Sequence, residues 1–186
     1  MTAATNKPRS RMRAHLELAV LSTCGLAALA WASFEMPSAH VVYNPSNSVP
    51  VGWYRIEPVN SPADPLHVGS IVLARLPAEP AALAAQRGYL PSHIPLLKRV
   101  GAVAPQHVCI VGGVVRIDGV PVAAVLRADR LGRPLPSWQP CRALAEGELF
   151  LLSATNPESF DSRYFGPIAA SALIGTAQPI YLWRQP

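Results

Sequence analysis

The sequence is short of charge, of cysteine and of metal-ligand patterns, and each shortage narrows what it can do. Only 15% of its 186 residues are Asp, Glu, Lys or Arg, while half are apolar, which excludes a disordered or purely solvating chain. The formal net charge is +5, but four of the sixteen Lys and Arg residues (Lys7, Arg9, Arg11 and Arg13) fall in the first thirteen positions and the rest are scattered. Without a basic stripe, the charge does not point to nucleic acid as a partner. There is no CxxC or HExxH, and the five histidines (His15, His40, His67, His93 and His107) are dispersed, which argues against a metal site. The phosphate-cradling patterns GxxxxGK[ST] and GxGxxG are missing too, so no cofactor is expected. No internal repeat or low-complexity tract divides the chain, and its length suits one anchor plus one modest domain.

Of the three cysteines, Cys24 lies in an apolar run and reads as a small apolar residue there. Cys109 and Cys141 are either two buried thiols or, in an oxidising compartment, a disulfide joining a hairpin to a Pro-rich loop. Export, argued next, favours the pair.

Leu18 to Phe34 is an apolar run of seventeen residues with no charge, and it follows the basic cluster. That reaches the short end of a membrane-spanning helix, roughly 17–25 residues. The positive-inside rule keeps the cluster cytoplasmic and sends everything after Phe34 across. Ala30-Trp31-Ala32 resembles a small-x-small cleavage site, so a cleaved secretory signal is the rival, but the run exceeds the usual h-region of about 7–15 residues. The expected organisation is a basic N-terminus (1–15), a single-pass inner-membrane anchor (16–34) in contact with lipid, and a periplasmic domain (35–186).

Proline is abundant, with twenty residues, and it is unwelcome in helix interiors and central strands. The exported part therefore reads as a loop-rich, mostly β domain. Expected strands are 41–43, 51–56, 70–76, 96–103, 108–111, 114–117, 120–125, 149–153, 172–174 and 180–183. Asp118-Gly119 marks a two-residue hairpin. One short helix is expected over 78–87, stopped by Gly88.

Three segments carry chemistry. Asn44-Pro45-Ser46-Asn47-Ser48-Val49-Pro50-Val51-Gly52-Trp53-Tyr54 places serines among turn formers, where Pro50 and Gly52 can fix an exposed hydroxyl. Pro95-Leu96-Leu97-Lys98-Arg99-Val100-Gly101 reads as a strand in which Lys98 shares a face with Leu96 and Val100. A lysine on an apolar face loses hydration, its pKa falls, and it becomes usable as a base near neutral pH, unless its stem lets it snorkel to water. Asn156 to Gly166 reads as a polar loop, in which an Asp161–Arg163 pair would count for little if solvated.

In this order, after an N-terminal anchor, the three segments resemble the membrane-bound signal peptidases, and more closely the TraF-type peptidases of conjugative transfer. The resemblance implies a signal-peptidase/LexA-like β-rich catalytic domain. Ser48, Pro50, Gly52 and Tyr54 fill the nucleophile motif, with Ser48 as nucleophile. Lys98 fills the lysine box as general base. Ser159 takes the position that hydrogen-bonds the lysine, Asp161 the acidic catalytic position, and Arg163 closes that box. Ser46 matches the side-chain oxyanion donor, alongside the Ser48 backbone N–H. Gly69-Ser70-Ile71-Val72 resembles the intervening strand box. Val49 replaces the methionine of general leader peptidases, and Ala154-Thr155-Asn156 replaces their Gly-Asp-Asn, which points to the TraF branch. The implied function is serine endoproteolysis of an exported protein such as a propilin, with maturation or cyclisation, in a conjugative transfer complex. General leader-peptide removal and a non-enzymatic anchored module are the alternatives.

Overall fold

The apolar run folds as one helix, α1 (Arg9–Glu35), in a computed structural model that describes residues 9–35, 40–59 and 66–183. Its Met12–Trp31 stretch is long and apolar enough to cross a membrane, with mean hydropathy 1.4 and none of it buried. The hydroxyl of Thr23 donates to Ala19 O and Val20 O, both at 2.9 Å, so this polar side chain adds no unpaired donor to the apolar face. Lys7, part of the expected basic cluster, lies outside the described residues. The helix belongs to one compact unit, Met1–Ala39, and the rest of the chain to a second, His40–Pro186.

The second unit is built on two antiparallel sheets. The larger takes β1 (His40–Asn44), β2 (Gly52–Pro58), β3 (Ile71–Ala74), β4 (Leu96–Val103), β9 (Glu148–Leu151), β10 (Ile168–Ala169) and β11 (Leu173–Leu182), in the order β1-β2-β11-β3-β4-β9-β10. The smaller takes β5 (His107–Val111), β6 (Val114–Ile117), β7 (Val120–Ala124) and β8 (Arg142–Ala143), in the order β7-β6-β5-β8. The Asp118-Gly119 turn joins β6 to β7 as expected, with Asp118 and Gly119 both at positive φ (50° and 82°). The expected helix is α2 (Ala78–Gln86).

The structure departs from the sequence expectations at β11, at a second short helix and at one buried ion pair. The segments 172–174 and 180–183 belong to one continuous ten-residue strand, β11, with register shifts between Pro179 and Tyr181 against β2 and between Leu173 and Gly175 against β3. Pro179 is tolerated where the ladder is already irregular. The polar loop after β9 holds a second short helix, α3 (Ser162–Phe165), so the domain has more than the one helix expected. The Asp161–Arg163 pair within it is fully buried rather than solvated.

Three apolar clusters fill the unit. One gathers Val72, Leu96, Val100 and Leu151, the second Ala102, Val108, Val115 and Phe150, the third Val49, Tyr54, Ile56, Leu73 and Leu97. β4 contributes to all three, so it is buried on both faces around Leu96–Lys98. The disulfide Cys109–Cys141 ties β5 to the Pro-rich loop, which settles the pairing left open by the sequence.

Candidate active site

The segment between β1 and β2 is a loop wrapped around one side chain. Asn44, at the end of β1, is 5% exposed, and its amide donates to the carbonyls of Ser46 (2.8 Å), Val49 (3.0 Å) and Pro50 (3.2 Å). The Tyr54 hydroxyl, on β2, donates to Pro50 O at 2.6 Å from a fully buried ring. These bonds occupy carbonyls that would otherwise leave the loop loose, and they fix the backbone on either side of half-buried Ser48. Gly52 is required by packing. A Cβ there would lie 2.1 Å from Tyr181 O on β11, at a φ of +155° that favours glycine. Pro50, Gly52 and Tyr54 thus each have a physical task in holding Ser48.

Lys98 lies on β4 and is 2% exposed. Its Nζ is 2.5 Å from Ser48 Oγ and also hydrogen-bonds Ser159 Oγ. The two serine hydroxyls are 3.4 Å apart, so the three groups form one cluster. Burial in the apolar sheet lowers the Lys98 pKa from 10.5 to about 8. The negative charge of Asp161 partly opposes that fall, and the positive charge of Arg163 adds to it.

Ser159 and Asp161 come from the segment before α3. Asp161 caps that helix, accepting from Arg163 N–H at 3.2 Å. Its carboxylate also accepts from Ser153 N–H at 3.0 Å and from Arg163 Nε and Nη2, both at 2.8 Å. Arg163, fully buried, spends its remaining donors on the carbonyls of Ala124, Ser153, Asn156, Pro157 and Ser159. The guanidinium therefore pins the Ser159 backbone and ties the end of β7 to this loop. Asp161 reaches Lys98 by charge, while its oxygens are occupied by the arginine and backbone donors.

Ser46 lines the same cavity as Ser48, but its hydroxyl donates to Asn44 Oδ1 at 2.9 Å. The Ser46 backbone N–H also donates to that oxygen, at 3.2 Å, so Asn44 stays satisfied if the hydroxyl turns away. Asn44 itself was missed as a functional residue. An Asn before Pro signals a turn, and nothing in the sequence shows that its amide gathers three carbonyls.

A cavity of about 630 Å³ opens onto Ser48, Lys98 and Ser159, with mostly apolar walls. His107 lies beside the Cys109–Cys141 sulfurs, which are consumed as a disulfide and hold no free thiolate for a metal.

A serine hydroxyl touching a buried, pKa-lowered lysine beside an apolar cleft is the arrangement of a serine hydrolase. The chain belongs to the signal peptidase family, peptidase S26, whose model matches residues 13–183. It is 32% identical over 151 residues to the plasmid transfer protein TraF of Escherichia coli, covering 75% of this chain and 82% of that protein. It is 37% identical over 150 residues to the conjugal transfer protein TraF of Agrobacterium fabrum, covering 74% and 80%. A crystal structure of a signal peptidase I from Enterococcus faecalis matches with a TM-score of 0.37 and 20% identity, covering 59% of this chain and 93% of that one.

Proposed function

We propose that this protein is a membrane-anchored serine endopeptidase that matures an exported protein of a conjugative transfer system, such as a propilin, with Ser48 and Lys98 as its catalytic dyad. The observation that carries the reading is the 2.5 Å contact between Ser48 Oγ and the buried Nζ of Lys98. The TraF relatives support the conjugative setting. The apolar helix supports the anchor, and the amphipathic rings of Tyr43, Trp53, Tyr181 and Trp183, all exposed, are of the kind that settle at a membrane–water interface.

In this mechanism neutral Lys98 accepts the Ser48 proton as Oγ attacks the substrate carbonyl carbon. The Ser48 N–H and the Ser46 hydroxyl, turned from Asn44, donate to the oxyanion, roughly 3–4 kcal/mol per donor. Lys98 then gives its proton to the leaving amine, and an ester to Ser48 remains. Water releases it as an acid, while attack by the substrate's own amino terminus closes a ring. Ser159 orients the lysine, and Asp161 and Arg163 position Ser159 and set the field at Nζ.

The test is co-expression with an exported propilin, read by intact mass. Wild-type protein should give a shortened product, one water lighter if cyclised. Ser48→Ala and Lys98→Ala should each leave the precursor uncut while the protein stays folded by circular dichroism. Near-normal processing by Lys98→Ala would sink the dyad.

A further inference from the structure

The cavity that holds Ser48 extends between two walls that the catalytic steps do not use. One is the connector after α2, which supplies Leu90 and Ile94, and the other is the loop before β8, which supplies Leu131 and Leu135. Phe160 and Tyr164, stacked 5.7 Å apart with planes 4° from parallel, line the space between them.

These walls are fastened to each other. The Tyr89 hydroxyl donates to Asp129 Oδ2 at 2.5 Å, Arg87 Nη2 donates to Pro134 O at 2.8 Å, and Arg133 Nη2 donates to Arg87 O at 3.2 Å. Asp129 also accepts from the Leu131 and Arg133 N–H groups, each at 2.9 Å, and from Arg133 Nε at 2.7 Å. The loop is therefore a tied turn, and it holds Leu131 in place although that side chain is 75% exposed. Ile94, which lines the same cavity, is 43% exposed. Two exposed aliphatic side chains on a braced rim, continuous with the reacting atoms, leave apolar surface that only an apolar guest removes from water.

We propose that this space is a specificity subsite for a bulky aliphatic side chain of the substrate, gripped by Leu131 and Ile94 at the rim and by Leu90 and Leu135 below. The proposal rests on the peptidase reading, and it separates this protein's substrate from one defined only by small residues around the scissile bond. Because the walls are joined before substrate arrives, little ordering is needed on binding.

The test uses full-length Ser48→Ala protein, so that binding is read without turnover. Short fluorescent peptides carry one leucine walked along an otherwise Ala/Gly/Ser chain, and anisotropy gives Kd at each position. One position should bind about tenfold more tightly with Leu than with Ala. Leu131→Ser and Ile94→Ser, both at exposed positions, should each remove most of that difference while Tm holds. Equal binding of Leu and Ala peptides, no binding of either, or a preference untouched by both variants would overturn the subsite. Turnover by wild-type protein is read separately. A binding preference without cleavage leaves the subsite standing and sinks the peptidase reading, whereas cleavage without any preference does the reverse.

Discussion

Lys98 is placed where a lysine costs stability. Its pKa falls from 10.5 to about 8 on folding, which corresponds to about 3 kcal/mol against the folded state when both states are protonated. The penalty is complete below pH 8, shrinks as pH rises from 8 to 10.5, and vanishes above. Lys98→Met should therefore be inactive yet raise Tm at pH 6, with the gain disappearing toward pH 10.5. A drop in Tm at pH 6 would show that the bonds to Ser48 and Ser159 outweigh the burial. Activity of the wild type should rise with pH through about 8, since the proposed base is the neutral amine. Asp161 opposes the lowering of that pKa, so Asp161→Asn should move the acid limb of the pH–rate profile to lower pH. The same change strands Arg163 without its counter-ion in a dry site and should destabilise by about 3–5 kcal/mol in urea titrations. An unmoved acid limb would confine Asp161 to capping α3 and pairing with Arg163.

At the scale of elements, the site is an assembly of ends. Ser48 sits between β1 and β2, Lys98 on β4, and Ser159 on the segment entering α3. The register of β3 against β4 pairs Val72 with Lys98, which keeps the lysine in the sheet's interior. The disulfide closes a stretch of 32 residues that includes β6, β7 and the wall loop. Replacing both Cys109 and Cys141 by Ser should cost about 2–4 kcal/mol of unfolding free energy, and a reductant should lower wild type to the same value. Much of the strand pattern was legible, because alternating apolar residues give a period of two. The eight-residue strand through Lys98 was read with its bounds intact, and its apolar face was read correctly. The joining of 172–174 to 180–183 was not legible, because Pro179 reads as a break and only the neighbouring strands show that the chain runs on past it. The burial of Asp161 and Arg163 was hidden for a similar reason, since a polar run looks solvated until other segments close over it.

For the whole molecule, the proposed function divides anchoring and chemistry between the apolar helix and the second unit. Membranes washed with alkaline carbonate should retain the full chain. A chain starting at His40 should leave the carbonate-washed fraction and still cleave peptide substrates in solution. Recovery of the full chain in the soluble fraction would remove the anchor.

The sequence by itself determined the mostly β character, the apolar helix, the spacing of Ser48, Lys98 and Ser159, and the desolvated face of Lys98, because these follow from local periodicity and side-chain chemistry. Tertiary structure alone decided that Lys98 Nζ meets both serines, that Asn44 organises the loop around Ser48, that Arg163 is buried against Asp161 and five carbonyls, and that two remote segments are tied into one apolar cleft. The meeting of Lys98 with the two serines and the tying of the cleft depend on contacts 40 to 111 positions apart, whereas Asn44 and Arg163 bond mostly near neighbours in loops whose path the rest of the fold sets, and no local pattern encodes which partner will satisfy a buried polar group.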